Sequence, residues 1–278
     1  MAAGTDMSVR FWGVRGSIAS PGPGTVRYGG NTACVELRCG EHLLILDAGT
    51  GLRLLGENLA AAGGAVDADI FCSHTHFDHI CGFPFFAPCY TAGNRLRIWA
   101  GHEAANGDIG AVFRVLLTPP LFPNVTGSIK AAIEFKNFAC GETFSPRPGI
   151  SVKTGALNHP GGASGYRFEW RGKSVAYITD TEQRAGALDA QVLALAEGAD
   201  IAIYDANYTD EDYARHAGWG HSTWQEGVKI ARQASVKTLV LFHHDPARTD
   251  AMLDAIADEA GRRRAGTIVA REGLMLSL

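Results

Sequence analysis

A four-layer αββα sandwich of α/β class is the fold this chain predicts, and two observations carry the prediction. Strand-like hairpin runs open each half of the sequence and give way to alternating strands and helices, the order expected of two sheets packed face to face with helices outside. The apolar runs are also short and bounded by turn residues, as buried strands are. In the first half, strands are expected over 9–14, 33–38, 43–46, 69–72 and 96–99, with a helix near 52–62. The second half repeats the rhythm, with strands over 150–154, 165–170, 174–178, 201–204, 238–242, 267–269 and 274–276. Helices are expected near 188–197, 223–234 and 250–260, the last with Leu253, Ile256, Ala257 and Ala260 on one apolar face. Residues 101–142, which include the run Thr118-Pro119-Pro120, break the pattern and read as an insertion in a single domain spanning 1–278. Ordinary packing, a substrate lid and a dimer contact are its three readings.

Composition narrows the function classes. Of the 278 residues, 46% are hydrophobic and 19% charged, an ordinary globular balance. No apolar run is long enough to span a bilayer. The start, Met1-Ala2-Ala3-Gly4-Thr5-Asp6-Met7, lacks the basic and then apolar pattern of a signal peptide, so a cytoplasmic location is expected. The six cysteines contain no C-x-x-C, and Cys34 and Cys72 fall in strand-like runs, which reads as reduced core thiols. Cys81, two residues beyond His79, either packs or lines a site. A net charge of −4 provides no global basic field for a long polyanion, so a small anionic partner is expected in preference to nucleic acid. The one basic run, Arg262-Arg263-Arg264, suits the negative end of a helix dipole.

The chemistry is concentrated in His74-Thr75-His76-Phe77-Asp78-His79, directly after an apolar strand. Imidazole and carboxylate donors suit zinc, manganese or iron, and four at this spacing are too many for one ion, which predicts two divalent metals. Further donors stand at other strand ends: His159 after 150–154, Asp180 after 174–178, and His243 after 238–242, with His244 competing for the last place. A carboxylate at Asp180 could bridge two cations.

These residues resemble the metallo-β-lactamase fold hydrolases, whose H-x-H-x-D-H motif is matched without a gap, and Leu46-Asp47-Ala48-Gly49-Thr50-Gly51 is similar to the early D-x-G-x-G-type turn of that superfamily. The resemblance implies that His74, His76 and His159 hold one metal and Asp78, His79 and His243 the other. Asp180 would then bridge, with Asp47 supporting the ligand loop. His243 is preferred to His244 because 241–246 resembles the apolar-strand-then-histidine pattern. Gly220-His221-Ser222-Thr223 is similar to the H-S-T motif of the ribonuclease Z and cyclic-phosphodiesterase branch, which implies phosphodiester chemistry. Asp205 stands where ribonuclease Z has a glutamate partnering this histidine. Ser222 and Gln225 form a capping-box pattern that would put His221 just before a helix N-terminus. The helix end lowers the pKa of His221 and Asp205 raises it, a balance the sequence leaves open.

The function implied is a binuclear metal-dependent phosphodiesterase acting on a small, cyclic nucleotide or sugar diester through a hydroxide bridging two metals, zinc being preferred. Its catalytic residues would be His221 as proton donor, Asp205 as its partner, and Asp78. A ribonuclease Z-like RNA endonuclease and a thioester or lactone hydrolase are the alternatives. A homodimer is a further expectation. Arg15 and Asn31, on a loop bordering the expected site, could contact phosphate or orient an oxygen, or simply satisfy a tight turn. His42, His102 and His216 have no matching context.

Overall fold

The structure is a computed structural model that describes residues 7–101, 107–183 and 186–278. The expectations placed on Met1–Asp6 and on His102 fall outside the described residues. Strands β1 (Met7–Gly13), β2 (Cys34–Cys39) and β3 (His42–Leu46) form an antiparallel meander. Helix α1 (Gly51–Ala62) then leads to β4 (Asp67–Cys72), parallel to β3. The short helix α2 (Phe77–Ile80), β5 (Arg95–Ala100), α3 (Ile109–Leu116) and β6 (Ala132–Asn137) follow. The second sheet opens with the antiparallel strands β7 (Thr143–Arg147), β8 (Ile150–Leu157), β9 (Ala163–Trp170) and β10 (Lys173–Ile178). It continues through α4 (Ala190–Ala196), β11 (Ile201–Asp205), α5 (Asp210–His216), α6 (Trp224–Gln233), β12 (Thr238–Phe242), α7 (Asp250–Arg263) and β13 (Thr267–Val269), its strands now parallel. Strand β14 (Met275–Ser277) crosses back to pair with β1.

The sheet orders are β14-β1-β2-β3-β4-β5-β6 and β13-β12-β11-β10-β9-β8-β7. Strand periodicity sorts the apolar side chains into layers. Phe11, Leu46, Phe71, Phe168, Tyr177, Val240 and Phe242 meet between the sheets. Their strand neighbours Ile70, Cys72, Leu239 and Leu241 face outward, under α1 and α3 on one side and α4, α6 and α7 on the other. The four-layer αββα sandwich is the observed architecture. Among the described residues, no helix is long and apolar enough to cross a membrane.

Within 101–142, α3 packs Ile109, Phe113 and Leu116 into the outer core, and β6 pairs in parallel with β5. The helix expected near 250–260 runs on to Arg263, where Arg263 pairs with Glu259 and lies 4.7 Å from the ring centre of Trp224. All six cysteines are free thiols, four of them buried.

Candidate metal centre

The candidate site lies where strands of both sheets end. Donors leave the ends of β4, β8, β10, β11 and β12 at one edge of the sandwich. Two contacts bring the sheets together there: Ser164 N–H donates to Ser73 O at 2.8 Å, and the Tyr166 hydroxyl donates to Cys72 O at 2.5 Å. Asp180 and His243 sit at φ of +54° and +61°, a left-handed conformation that costs non-glycine residues energy and clusters at functional sites.

His74, His76, Asp78, His79, His159, Asp180 and His243 converge. His79 Nε2 lies 3.1 Å from His243 Nε2 and 3.2 Å from both Asp78 Oδ2 and Asp180 Oδ2, and His243 Nε2 lies 3.3 Å from each of the same two oxygens. That spacing is close to the edge, about 3.3 Å, of a tetrahedron with bonds of about 2.0 Å, so a divalent cation fits among them. On the other side, His76 Nδ1 is 3.0 Å from His159 Nε2, and Asp180 Oδ1 is 3.8 Å from His74 Nε2 and 3.9 Å from His159 Nε2. Asp180 therefore turns one oxygen to each group of donors. His243 faces this centre, whereas His244 turns away to bond Ala270 O at 2.8 Å, and burial pushes its pKa down to about 3.

Supporting contacts fix the ring orientations. Asp47, fully buried at φ +60°, accepts from His79 Nδ1 at 2.7 Å, Ser73 N–H at 2.6 Å, Ser73 Oγ at 2.8 Å and the Tyr177 hydroxyl at 2.7 Å. His159 Nδ1 donates to Gly220 O at 2.8 Å, and Ser17 N–H donates to Asp78 Oδ2 at 2.7 Å. Each imidazole held through one nitrogen presents the other to the centre. Burial keeps His74 and His159 below the ordinary histidine range, hence neutral, as metal ligation requires. Burial also disfavours charge on His79, but Asp180, Asp78 and Asp47 outweigh it and raise its pKa well above the ordinary value. The surrounding histidines in turn overcome the burial of Asp180 and Asp78 and hold both carboxylates below their usual range.

His221 lies beside the cluster, its ring centre 5.0 Å from that of His243 and 5.4 Å from that of His159. Its Nδ1 is 2.9 Å from Asp205 Oδ2, at the end of β11. Burial opposes its charge, yet Asp205 overrides burial with help from Asp180 and Asp78, and the pKa rises to about 9. This answers the balance the sequence left open. The expected Ser222–Gln225 capping box is absent. Thr223 caps α6 by accepting from Glu226 N–H, while Ser222 Oγ pairs with the Tyr204 hydroxyl at 2.9 Å and Gln225 accepts from Asp210 N–H at 3.2 Å.

Arg15 does not reach the site. It is fully buried, donating to Gly29 O at 2.7 Å and Arg248 O at 2.6 Å. Asn31 donates to Glu272 through both its backbone and its amide nitrogen, so both residues serve the loop. Sequence reasoning missed Ser73 and Tyr177, the partners of Asp47. Ser73, adjacent to His74, offered a positional hint, but nothing local marks a tyrosine within β10. It also missed Glu182, whose partners lie at Tyr213, Gly218 and Gly220.

The family model for the beta-lactamase superfamily domain matches residues 42–244. A ribonuclease Z of Haloarcula marismortui is 25% identical over 304 aligned positions, covering 96% of this chain and 94% of that protein. A ribonuclease Z of Gemmatimonas aurantiaca is 34% identical over 108 residues, covering 39% of this chain and 32% of that protein. Among solved structures, the metallo-beta-lactamase fold protein YhfI of Bacillus subtilis superposes with a TM-score of 0.73 at 20% identity, covering 99% of this chain and 100% of its own. A match across most of the chain, on the observed four-layer fold, makes this protein a member of the beta-lactamase superfamily domain family, a metal-dependent hydrolase on the metallo-β-lactamase fold.

Proposed function

We propose that this hydrolase is a binuclear phosphodiesterase acting on a small, nucleotide-like or cyclic diester. His74, His76 and His159 would hold one cation and Asp78, His79 and His243 the other, with Asp180 offering an oxygen to each. Zinc is the proposed metal; the same donors also accept manganese or iron. When bound, the cations supply Lewis-acid polarisation of phosphoryl oxygens and acidify water.

The observation that carries the reading is the His221–Asp205 pair beside the ligand set. Hydrolysis of an alkyl phosphodiester expels an alkoxide, which needs a proton as the bond to phosphorus breaks. Asp205 fixes His221 through Nδ1 and favours its charged form, leaving Nε2–H to protonate the leaving oxygen. A thiolate leaves without such help, so this device favours a diester over a thioester.

The test compares two leaving groups. His221→Ala should lower turnover of a cyclic nucleotide by about 10²–10⁴-fold, the usual contribution of a general acid. Cleavage of bis-p-nitrophenyl phosphate, whose leaving group needs no proton, should fall far less, with metal content unchanged. Equal losses on both substrates would remove the proton-donor role.

A ribonuclease Z-like action on RNA is the second reading, favoured by the Haloarcula marismortui relative, which aligns over nearly the whole chain. A steep fall of substrate affinity with salt would support RNA; a flat response supports a small diester.

A further inference from the structure

We infer that Trp219 is a substrate-binding residue that stacks on a nucleobase of the diester. The inference rests on the phosphodiesterase reading and narrows its substrate to nucleotides. Single exposed apolar residues are ordinary on protein surfaces. Trp219 differs in how it is held. Its residue surface is 63% exposed, yet the loop carrying it is fixed on both sides by one carboxylate. Glu182 accepts from Gly218 N–H at 2.7 Å and Gly220 N–H at 2.9 Å, and also from the Tyr213 hydroxyl at 2.8 Å. Gly218 and Gly220 take φ of +90° and +86°, conformations that favour glycine. The backbone is thus shaped and anchored to present an indole to solvent.

Its location gives that presentation a purpose. Gly220, the next residue, receives the hydrogen bond that orients His159, and His221 follows. An aromatic ladder runs from the exposed ring back to the proposed acid. The Trp219 ring meets His216 edge-on at 5.0 Å, His216 stacks on Tyr208 at 4.6 Å and 12°, and Tyr208 meets His221 at 5.9 Å. This backing restrains the indole while its outer surface stays free. A restrained flat π surface beside a phosphodiester site suits the flat base of a nucleotide, since every base offers a π face.

Two diesters with the same leaving group, thymidine p-nitrophenyl phosphate and methyl p-nitrophenyl phosphate, separate the base from the chemistry. For Trp219→Ala, KM for the thymidine diester should rise about tenfold, within the range of one base–aromatic stack. Its kcat and both constants for the methyl diester should stay near wild type, and Trp219→Phe should restore most of the affinity. Equal changes on both diesters, or no change on either, would overturn the assignment. Calorimetric titration of the metal-loaded protein with AMP and with ribose phosphate decides the same question without turnover. Trp219→Ala should weaken AMP about tenfold and leave ribose phosphate unchanged; AMP binding indifferent to the substitution would overturn the proposal. If the wild type cleaves neither diester, the phosphodiesterase reading fails, and the AMP titration still decides Trp219.

Discussion

Asp47→Asn changes one atom in the buried support of the site, and its effect can be worked out bond by bond. The carboxylate accepts four hydrogen bonds, from Ser73 N–H and Oγ, His79 Nδ1 and the Tyr177 hydroxyl. The asparagine oxygen can keep the bond from Ser73 N–H, which reaches Oδ1. The amide nitrogen then replaces Oδ2 and meets three groups that had been donating to it. The two hydroxyls can rotate to accept. His79 can accept at Nδ1 only if its proton moves to Nε2, the atom 3.1 Å from His243 Nε2 and 3.2 Å from Asp78 Oδ2. The tautomer needed to ligate a cation is then disfavoured. Loss of such a supporting bond costs about 10–100-fold in metal affinity, or roughly 1.4–2.7 kcal/mol. The loss should fall chiefly on the cation that His79 would help hold, because it is the His79 ring that bonds Asp47 directly. Competition between metal-depleted protein and a chromophoric chelator measures both affinities. Two cations bound at wild-type affinity by a fully folded Asp47→Asn variant would refute the reasoning.

Other perturbations probe different parts of the site. A methyl group at Gly220 would lie 2.3 Å from His159 Nδ1, at φ +86°; Gly220→Ala should displace His159, remove one metal equivalent by elemental analysis and lower the melting temperature. Asp205→Asn removes the charge that raises His221. Because the acid form of His221 is lost as pH rises through its pKa, the alkaline limb of the rate profile for a cyclic diester should move to lower pH. His79 is held protonated by three carboxylates before any cation arrives, so metal uptake must release a proton. Apparent affinity should therefore weaken from about pH 8 to about pH 6, and calorimetry in buffers of different ionisation enthalpy should detect the proton.

The central strands were legible because burial on both faces makes them nearly continuous apolar runs, as in 69–72 and 238–242. The elements that escaped lie at edges or carry local signals that went unused. β6 is half-exposed along its length, and β7 contains Pro146 and a break in register, features of edge strands. Helix α5 does announce itself, since Thr209 and Asp212 form a reciprocal capping box. The donors of the candidate centre were readable because each follows an apolar strand, and strand ends at one edge of a sandwich converge. Ser73, Tyr177 and Glu182 were not, because their partners are distant in sequence or defined only by the assembled sheets. The charge of His221 was illegible for the same reason: it depends on a 2.9 Å contact between the end of β11 and the approach to α6.

Titration of metal-depleted protein with zinc, following bound metal and diester cleavage together, tests the central claim most directly. The account predicts that two equivalents bind per chain, that cleavage of bis-p-nitrophenyl phosphate reaches its plateau only with the second, and that Asp180→Ala abolishes it. Saturation at one equivalent, or two bound equivalents with no diester cleaved, would contradict it.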